Sequence, residues 1–374
     1  MMPPENESHP TLVIDRLAYG GYGVGRHEGR VIFVPFGLPG DTLRVSIFKD
    51  QKRYAYAAIQ EIVSPSPDRV AAPCRHFFTC GGCQWQHLPY EKQLYWKQEI
   101  LKETLERLGR IKEPPLLPII PSPKVWHYRN RIQLNVGDKG ASPKGEIGFY
   151  RADGEGVVAI EECPIADERI NATLKSINPR EIRKRGWQVE LMVDEEEGSV
   201  RLETGKGAFS QVNSEQNQNL VSAVVGLMAV REGEEVLELF AGNGNFSFPL
   251  AAQGAKVTAV EQSPGEAISV SQVPRHEVRF IYNRVEKVMR DLVRQKRKFD
   301  SLLLDPPRKG AKLILSEIVS LAPRKIVYVS CFPPTLARDL QFLTRHGYRL
   351  EKIQPIDMFP QTYHIESVSL LQKN

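Results

Sequence analysis

The strongest constraint on the fold is a change of rhythm near residue 209. From there to the C-terminus, short apolar runs alternate with helix-length stretches. The runs at 235–240, 256–261, 278–282, 301–305 and 325–330 are of strand length and rich in Val, Ile and Leu. Strands that alternate with helices imply a parallel sheet with helices on both sides, because a parallel neighbour can be reached only by a long crossover. Segments 348–355 and 365–371 break the alternation and read as a closing hairpin.

The first of these strands runs into Phe-Ala-Gly-Asn-Gly-Asn, which puts Gly242 and Gly244 where strand gives way to helix. Glycine there lets the backbone adopt positive φ and approach a ligand closely. The second strand ends in Glu261, where an acid can hold ribose hydroxyls. Nicotinamide and S-adenosylmethionine proteins share this arrangement. Two details favour the methyl donor: Glu238 lies inside the first strand, and Ser247 stands where a pyrophosphate fingerprint wants a third glycine. The same absence disfavours a dehydrogenase. The layout fits a Rossmann-like methyltransferase domain over 209–374. Ligands of open α/β sheets bind beyond the carboxyl ends of the strands. Asp305, ending the fourth strand, and Cys331, just past the fifth, should therefore lie side by side there. A lone cysteine is most often a small buried hydrophobe; one that leaves a sheet at a loop is a candidate nucleophile.

Residues 1–65 alternate apolar and polar positions between glycine-rich turns, which implies a small antiparallel β-barrel of the oligonucleotide-binding kind. Ser64-Pro-Ser-Pro-Asp reads as a linker. Residues 66–208 form a central mixed α+β domain. It has a helix from about 91 to 108, prolines at 114, 115, 118, 121 and 123, and strands at 128–136, 147–150, 157–160, 188–193 and 200–202.

A net charge of +5 leans toward polyanionic partners, although residues 1–65 carry as many acids as bases. Local clusters say more: Arg44, Lys49, Lys52 and Arg53 sit among Phe48, Tyr54 and Tyr56, and 284–298 reads as a helix rich in Arg and Lys. No run approaches the length of a membrane span and no signal-peptide pattern is visible, so a cytoplasmic protein without membrane contact is expected. Five cysteines in that reducing setting argue against a disulfide framework. Cys74, Cys80 and Cys83 cluster and, with Cys163, suggest a metal site, while Cys331 stands apart as a reactive thiol. Four thiolates suit iron–sulfur or tetrahedral zinc alike.

Taken together, these motifs resemble the RNA uracil-5-methyltransferase family over nearly the whole chain. Gly-Tyr-Gly-Val-Gly-Arg and Gly-Leu-Pro-Gly-Asp make the N-terminal barrel look like a TRAM domain. The catalytic half matches through Phe209-Ser-Gln-Val-Asn213, Glu238-Leu-Phe-Ala-Gly-Asn-Gly-Asn, Asp305-Pro-Pro-Arg, Ser330-Cys331 with Thr335-Leu-Ala-Arg-Asp339, and Asp357-Met-Phe-Pro-Gln-Thr-Tyr-His-Ile-Glu366. In this chemistry a thiolate adds to carbon 6 of uracil, carbon 5 attacks a methyl group, and a base removes the carbon 5 proton before the thiol leaves. By residue type alone the base could be Glu366, Asp357 or Asp339. The resemblance implies Cys331 as nucleophile and Glu366 as base. It implies that Gln211, Phe240, Asn245, Glu261, Asn283 and Asp305 line an S-adenosylmethionine pocket, and that Cys74, Cys80, Cys83 and Cys163 hold a structural [4Fe–4S] cluster. It also implies that the helix after residue 90 packs on the catalytic domain. The partner expected is RNA, ribosomal before transfer RNA, bound by a monomer. Two alternatives are an RNA cytosine-5 methyltransferase, against which Asp-Pro-Pro-Arg and His-Ile-Glu argue, and a non-catalytic RNA-binding assembly factor, against which Cys331 together with Glu366 argues.

Overall fold

A computed structural model describes residues 9–137, 146–177, 182, 188–204, 211–263 and 278–374. Five strands open the chain: β1 (Thr11–Ala18), β2 (Tyr22–His27), β3 (Arg30–Pro35), β4 (Thr42–Gln51) and β5 (Tyr54–Ser64). They close into a barrel in the order β1-β2-β3-β5-β4. Inward positions alternate along each strand and supply Leu12, Ile14, Ile32, Val34, Leu43, Val45 and Ala57 to its core. The sequence suggested a wholly antiparallel barrel, but β3 and β5 run parallel. An odd ring cannot alternate direction all the way round, so one like-directed pair is unavoidable.

The barrel is fastened by Asp41, which is fully buried. Its carboxylate accepts the Leu38 N–H (2.6 Å), the Ser66 N–H (2.8 Å) and the Arg69 Nε–H (3.1 Å), and pairs with the rest of the Arg69 guanidinium. The Gly-Leu-Pro-Gly-Asp turn is thereby tied to the end of the linker.

The next elements are α1 (Tyr90–Arg107), β6 (Arg131–Val136), β7 (Ile147–Tyr150), β8 (Val157–Ala159), α2 (Glu168–Ser176), β9 (Gln188–Asp194) and β10 (Ser199–Thr204). The strands form an antiparallel sheet, β10-β9-β6-β7-β8, with Ile170 and Leu174 of α2 packed in its core. The strand expected from residue 128 begins at Arg131. The preceding residues are spent elsewhere: Arg129 donates its N–H to Ile165 O and accepts that of Asp167, both at 2.9 Å.

The C-terminal region holds α3 (Ser214–Met228), β11 (Glu235–Leu239), α4 (Ser247–Ala252), β12 (Lys256–Glu261), β13 (Val278–Tyr282), α5 (Val285–Arg294), β14 (Ser301–Leu304), α6 (Leu315–Leu321), β15 (Lys325–Ser330), α7 (Pro333–Arg345), β16 (Tyr348–Ile356) and β17 (Glu366–Lys373). Its seven-stranded sheet has the order β13-β12-β11-β14-β15-β17-β16. The first five strands are parallel and β17 runs antiparallel to both neighbours, as the closing hairpin requires. Leu302, Leu303 and Leu304 in the middle are at most 1% exposed, the two-sided burial of a parallel sheet. The proline-rich stretch covers the edge: Leu117 and Ile120 donate to Ile353 and Pro355 along β16. Proline suits such an edge because few of its donors are needed there.

The chain folds as two compact units that do not follow sequence order: 1–100, 124–205 and 359–364 make one, and 101–123, 206–358 and 365–374 the other. No helix among the described residues is long and apolar enough to cross a membrane.

Replacing Asp41 with Ala orphans two backbone N–H groups and leaves Arg69 unpaired. We expect the variant to lose about 3 kcal/mol in urea unfolding. A loss below about 1 kcal/mol would show that water takes over from the carboxylate.

Candidate active site

Every parallel strand of the seven-stranded sheet delivers one candidate residue at its carboxyl end. Phe240 follows β11, Glu261 ends β12, Asn283 follows β13, Asp305 follows β14 and Cys331 follows β15. Helices lead on from the same edge, so it gathers unpaired backbone N–H groups.

The turn after β11 is built for close approach. Gly242 has φ +54° and nothing within 4 Å of where a Cβ would stand, while Gly244 has φ +89° with the Phe248 ring packed against it. Phe240 also takes a positive φ, +63°, which is costly for a residue with a side chain. Glu261 braces the turn by accepting the Gly242 N–H at 3.0 Å and the Gln262 N–H at 2.6 Å. Asn283 is exposed and donates its N–H to Glu261 O at 2.9 Å. Asn245 exchanges amide hydrogen bonds with Asn217 of α3 at 2.8 and 3.0 Å. Gln211 lies two residues ahead of the α3 cap, Asn213, and is half-buried. The preceding Phe209 and Ser210 lie outside the described residues.

Cys331 and Glu366 are brought together by strand register. β15 pairs with β17 so that Ser330 faces Ser367. One step further along an antiparallel pair, Cys331 stands opposite Glu366, and directly opposed side chains lie on one face of a sheet. Glu366 is 4% exposed and Cys331 is half-buried. Burial pushes the Cys331 thiol up to about 12, with the Glu366 and Asp305 carboxylates adding to the rise and Arg308 opposing it. Burial, and then Asp305, holds the Glu366 carboxyl well above the ordinary range. Asp305 itself is raised by burial to about 7. The expected neighbourhood of Asp305 and Cys331 is therefore present, with Glu366 in it.

Glu238 belongs to the same group, although sequence reasoning used it only to choose between cofactors. It is 1% exposed on β11 and accepts a hydrogen bond from the Ser247 hydroxyl. Burial lifts its carboxyl to about 8; the Ser247 bond lowers it and Asp305 raises it further. Two more residues had no sequence signal for their role. Arg308 stacks its guanidinium 5.9 Å from the Phe332 ring centroid. Asp339, fully buried on α7, accepts the Ala311 N–H at 2.7 Å, the Tyr328 hydroxyl at 2.8 Å and the Arg338 Nε–H at 2.8 Å. These bonds latch the Asp305-Pro-Pro-Arg loop to β15 and α7 and occupy the Asp339 carboxylate. Asp357 is buried at the end of β16, with its N–H on Ile120 O.

The four remaining cysteines line one cavity of about 50 Å³, along with Phe77, Arg129 and Phe149. All four are free thiols. The Cys80 sulfur accepts the Gly82 N–H at 3.4 Å. Among the described residues, no group of three or more His, Cys, Asp or Glu side chains is gathered closely enough to hold a metal ion.

Residues 184–374 match the family model of tRNA (uracil-5-)-methyltransferases, and residues 11–59 match that of the TRAM domain. The chain is 36% identical to an uncharacterized RNA methyltransferase of Bdellovibrio bacteriovorus, over 96% of this chain and 94% of that one. It is 32% identical to a 23S rRNA (uracil(1939)-C(5))-methyltransferase of Alkalilimnicola ehrlichii, over 97% and 96%. It is also similar to the crystal structure of a Pyrococcus abyssi tRNA (uracil-54, C5)-methyltransferase in complex with S-adenosyl-L-homocysteine, with a TM-score of 0.70 and 26% identity over 96% of this chain and 100% of that one.

The folded chain keeps the Glu238 proton up to about pH 8, whereas the unfolded chain gives it up near 4.5. The folded state binds the extra proton between those values, so this group makes stability fall as pH rises through that window. Glu238→Gln removes the dependence. Its urea midpoint, measured without ligand, should exceed that of the unchanged protein by more at pH 8 than at pH 5; an equal gap at both would refute the assignment.

Proposed function

We propose that this chain, which belongs to the RNA uracil-5-methyltransferase family, modifies a uridine of 23S ribosomal RNA with Cys331 as nucleophile and Glu366 as proton acceptor. The chain is an S-adenosylmethionine-dependent RNA (uracil-5-)-methyltransferase. The observation that carries the assignment of roles is the register that sets Cys331 across from Glu366 beside Asp305.

The residues at the glycine turn fit S-adenosylmethionine. The side of Gly242 where a Cβ would stand is open, and Glu261 is fixed beside it by two backbone N–H groups. Gln211, Phe240, Asn245, Glu261, Asn283 and Asp305 would hold it. Its sulfonium, when bound, supplies an electrophilic methyl group. The thiol of Cys331 adds to carbon 6 of the uracil, which makes carbon 5 nucleophilic. After carbon 5 has gained the methyl group, Glu366 removes its remaining proton. The electron pair of that C–H bond forms the 5,6 double bond and expels the Cys331 sulfur. In the free enzyme burial favours the neutral thiol, so its proton passes to the neighbouring Asp305 carboxylate as the sulfur attacks, which leaves the Glu366 carboxylate to accept the carbon 5 proton. The target base must leave its stack to reach these groups.

Cys74, Cys80, Cys83 and Cys163 fit a [4Fe–4S] cluster in donor kind and number: four free thiols share one cavity, and a backbone N–H already points at one sulfur. Its role is structural, clipping together segments at 74–83 and 163 that are far apart in sequence. The enzyme acts in the cytoplasm, where it meets ribosomal RNA. Transfer RNA is the second reading, favoured by the likeness to the Pyrococcus abyssi enzyme; the higher identity to the 23S enzyme of Alkalilimnicola ehrlichii favours ribosomal RNA.

With labelled methyl donor, the protein should methylate a 23S transcript and leave bulk transfer RNA nearly unlabelled; the opposite preference would reassign the substrate. Cys331→Ala should abolish transfer. Glu366→Gln should slow turnover about 10²–10⁴-fold and accumulate an enzyme–RNA adduct stable to denaturing gels. Full transfer by Cys331→Ala would overturn the mechanism.

Protein purified without oxygen should be brown, with about four irons per chain, and should bleach in air. Stoichiometric zinc without iron would refute the cluster.

A further inference from the structure

Away from the proposed active site, the most strongly charged surface belongs to α5 and the turn that follows it. Residues 284–298 carry seven Lys/Arg against two acids, a net charge of +5, which equals that of the whole chain. The rest of the molecule is therefore neutral on balance, and attraction for a polyanion concentrates here. The helix keeps its two faces apart. Val285, Val288, Met289 and Leu292 are buried. Lys287, Arg290 and Arg294 recur at helical spacing on the other side and are exposed, as are Lys296, Arg297 and Lys298 just beyond the helix. Glu286 pairs with Arg284 at 3.7 Å, and Asp291 with Arg294 at 3.0 Å. That leaves Lys287, Arg290, Lys296 and Lys298 without an acid among the described residues.

The loop after β14 carries this charge toward Cys331. Arg308 acts on the Cys331 thiol, and Lys309 and Lys312 further along the loop are exposed. The loop is held in shape. The Thr335 hydroxyl donates to Arg308 O at 3.1 Å, and the Arg338 guanidinium donates to Lys309 O at 2.9 Å. The single turn that follows, Lys312–Ile314, packs against α5, as does α6. α6 brings one acid, Glu317, which is half-buried and accepts the Ser316 hydroxyl. All these elements belong to one compact unit.

The make-up of the patch selects its ligand. Residues 284–298 include no aromatic side chain, so nothing there can stack on a base face; what is offered is charge for an anionic backbone. A double helix presents about one charge per 1.7 Å, twice the linear density of one strand. Fixed cations in a stripe therefore favour a duplex over a single strand. Ten residues make α5 about 15 Å long, enough to meet several phosphates.

We propose that the exposed face of α5, continued by Lys312 and Lys309, binds the phosphate backbone of a double-stranded arm of the substrate RNA, adjoining the unpaired segment that carries the target uridine. This role depends on RNA being the substrate. It adds that a helical arm, held by charge and without regard to its sequence, anchors the RNA on the catalytic domain.

Fluorescence anisotropy on the full chain, at several salt concentrations, tests this with two probes: an RNA hairpin with a uridine-containing loop, and the loop sequence as a linear strand. The triple variant Lys287→Gln/Arg290→Gln/Lys298→Gln should bind the hairpin about 10- to 100-fold more weakly near about 0.1 M salt. Its slope of log affinity against log salt should be shallower by about 2 to 3. On the linear strand the loss should be several-fold smaller. Lys287→Arg/Arg290→Lys/Lys298→Arg keeps every charge and should bind like the unchanged protein, which separates charge from damage to the helix. An unchanged salt slope in the triple variant would overturn the proposal and leave α5 a merely solvated face. Equal losses on hairpin and strand would overturn it as well. If the unchanged protein bound neither probe, the RNA reading itself would fall; the thiol chemistry is tested separately, by methyl transfer with Cys331→Ala.

Discussion

The pairing of β15 with β17 is the interaction on which the proposed active site depends. β15 belongs to the parallel series and is reached by a helical crossover; β17 returns antiparallel and is inserted between β15 and the edge strand β16. That reversal has a chemical consequence. Parallel strands bring only their carboxyl ends to the cofactor edge, whereas an antiparallel strand brings its amino end. The residue entering β17 thus meets the residue leaving β15, and Glu366 faces Cys331 across 34 intervening positions of sequence. A slip of one residue would turn Glu366 to the other face of the sheet. The eight-residue strand carrying Val368, Leu370 and Leu371 into the core fixes that register.

Two carboxyl groups beside one thiol, with a third beside Asp305, would repel one another if all were ionised, and the structure avoids this through burial. Glu238, Asp305 and Glu366 are each held above the ordinary carboxylate range, and Asp305 appears among the causes for the other two and for Cys331. Burial therefore favours the protonated form of each in the free site.

Much of this was legible in the sequence, and what was not has a physical reason. Strand ends, glycine turns and prolines are local signals, so the positions of Glu261, Asp305 and Cys331 at strand ends followed from periodicity. Pairings are not local. Nothing near β3 says that β5 will lie beside it in the same direction; that follows only from closing a ring of five. The choice among Glu366, Asp357 and Asp339 could not be made from residue type either, because each is an acid in an apolar neighbourhood. Hydrogen bonding separates them: Asp339 spends its oxygens on Ala311, Tyr328 and Arg338, while register turns Glu366 toward the thiol. The roles of Asn217 and Ser247, which meet the cofactor turn from α3 and α4, were invisible because each partner is distant in sequence or reads as an ordinary helix start.

The buried acids of this chain divide by what satisfies them. Asp41 and Asp339 each gather at least three donors from different segments, and each ties a loop to the body that carries it. In each case hydrogen bonds from the protein replace those lost to water. Asp305 and Glu366 are instead dominated by the loss of water itself. A fold that can latch two loops with fully satisfied acids could have satisfied these as well. Leaving them under-solvated next to Cys331 costs stability, which fits the proposed role of these side chains in moving a proton.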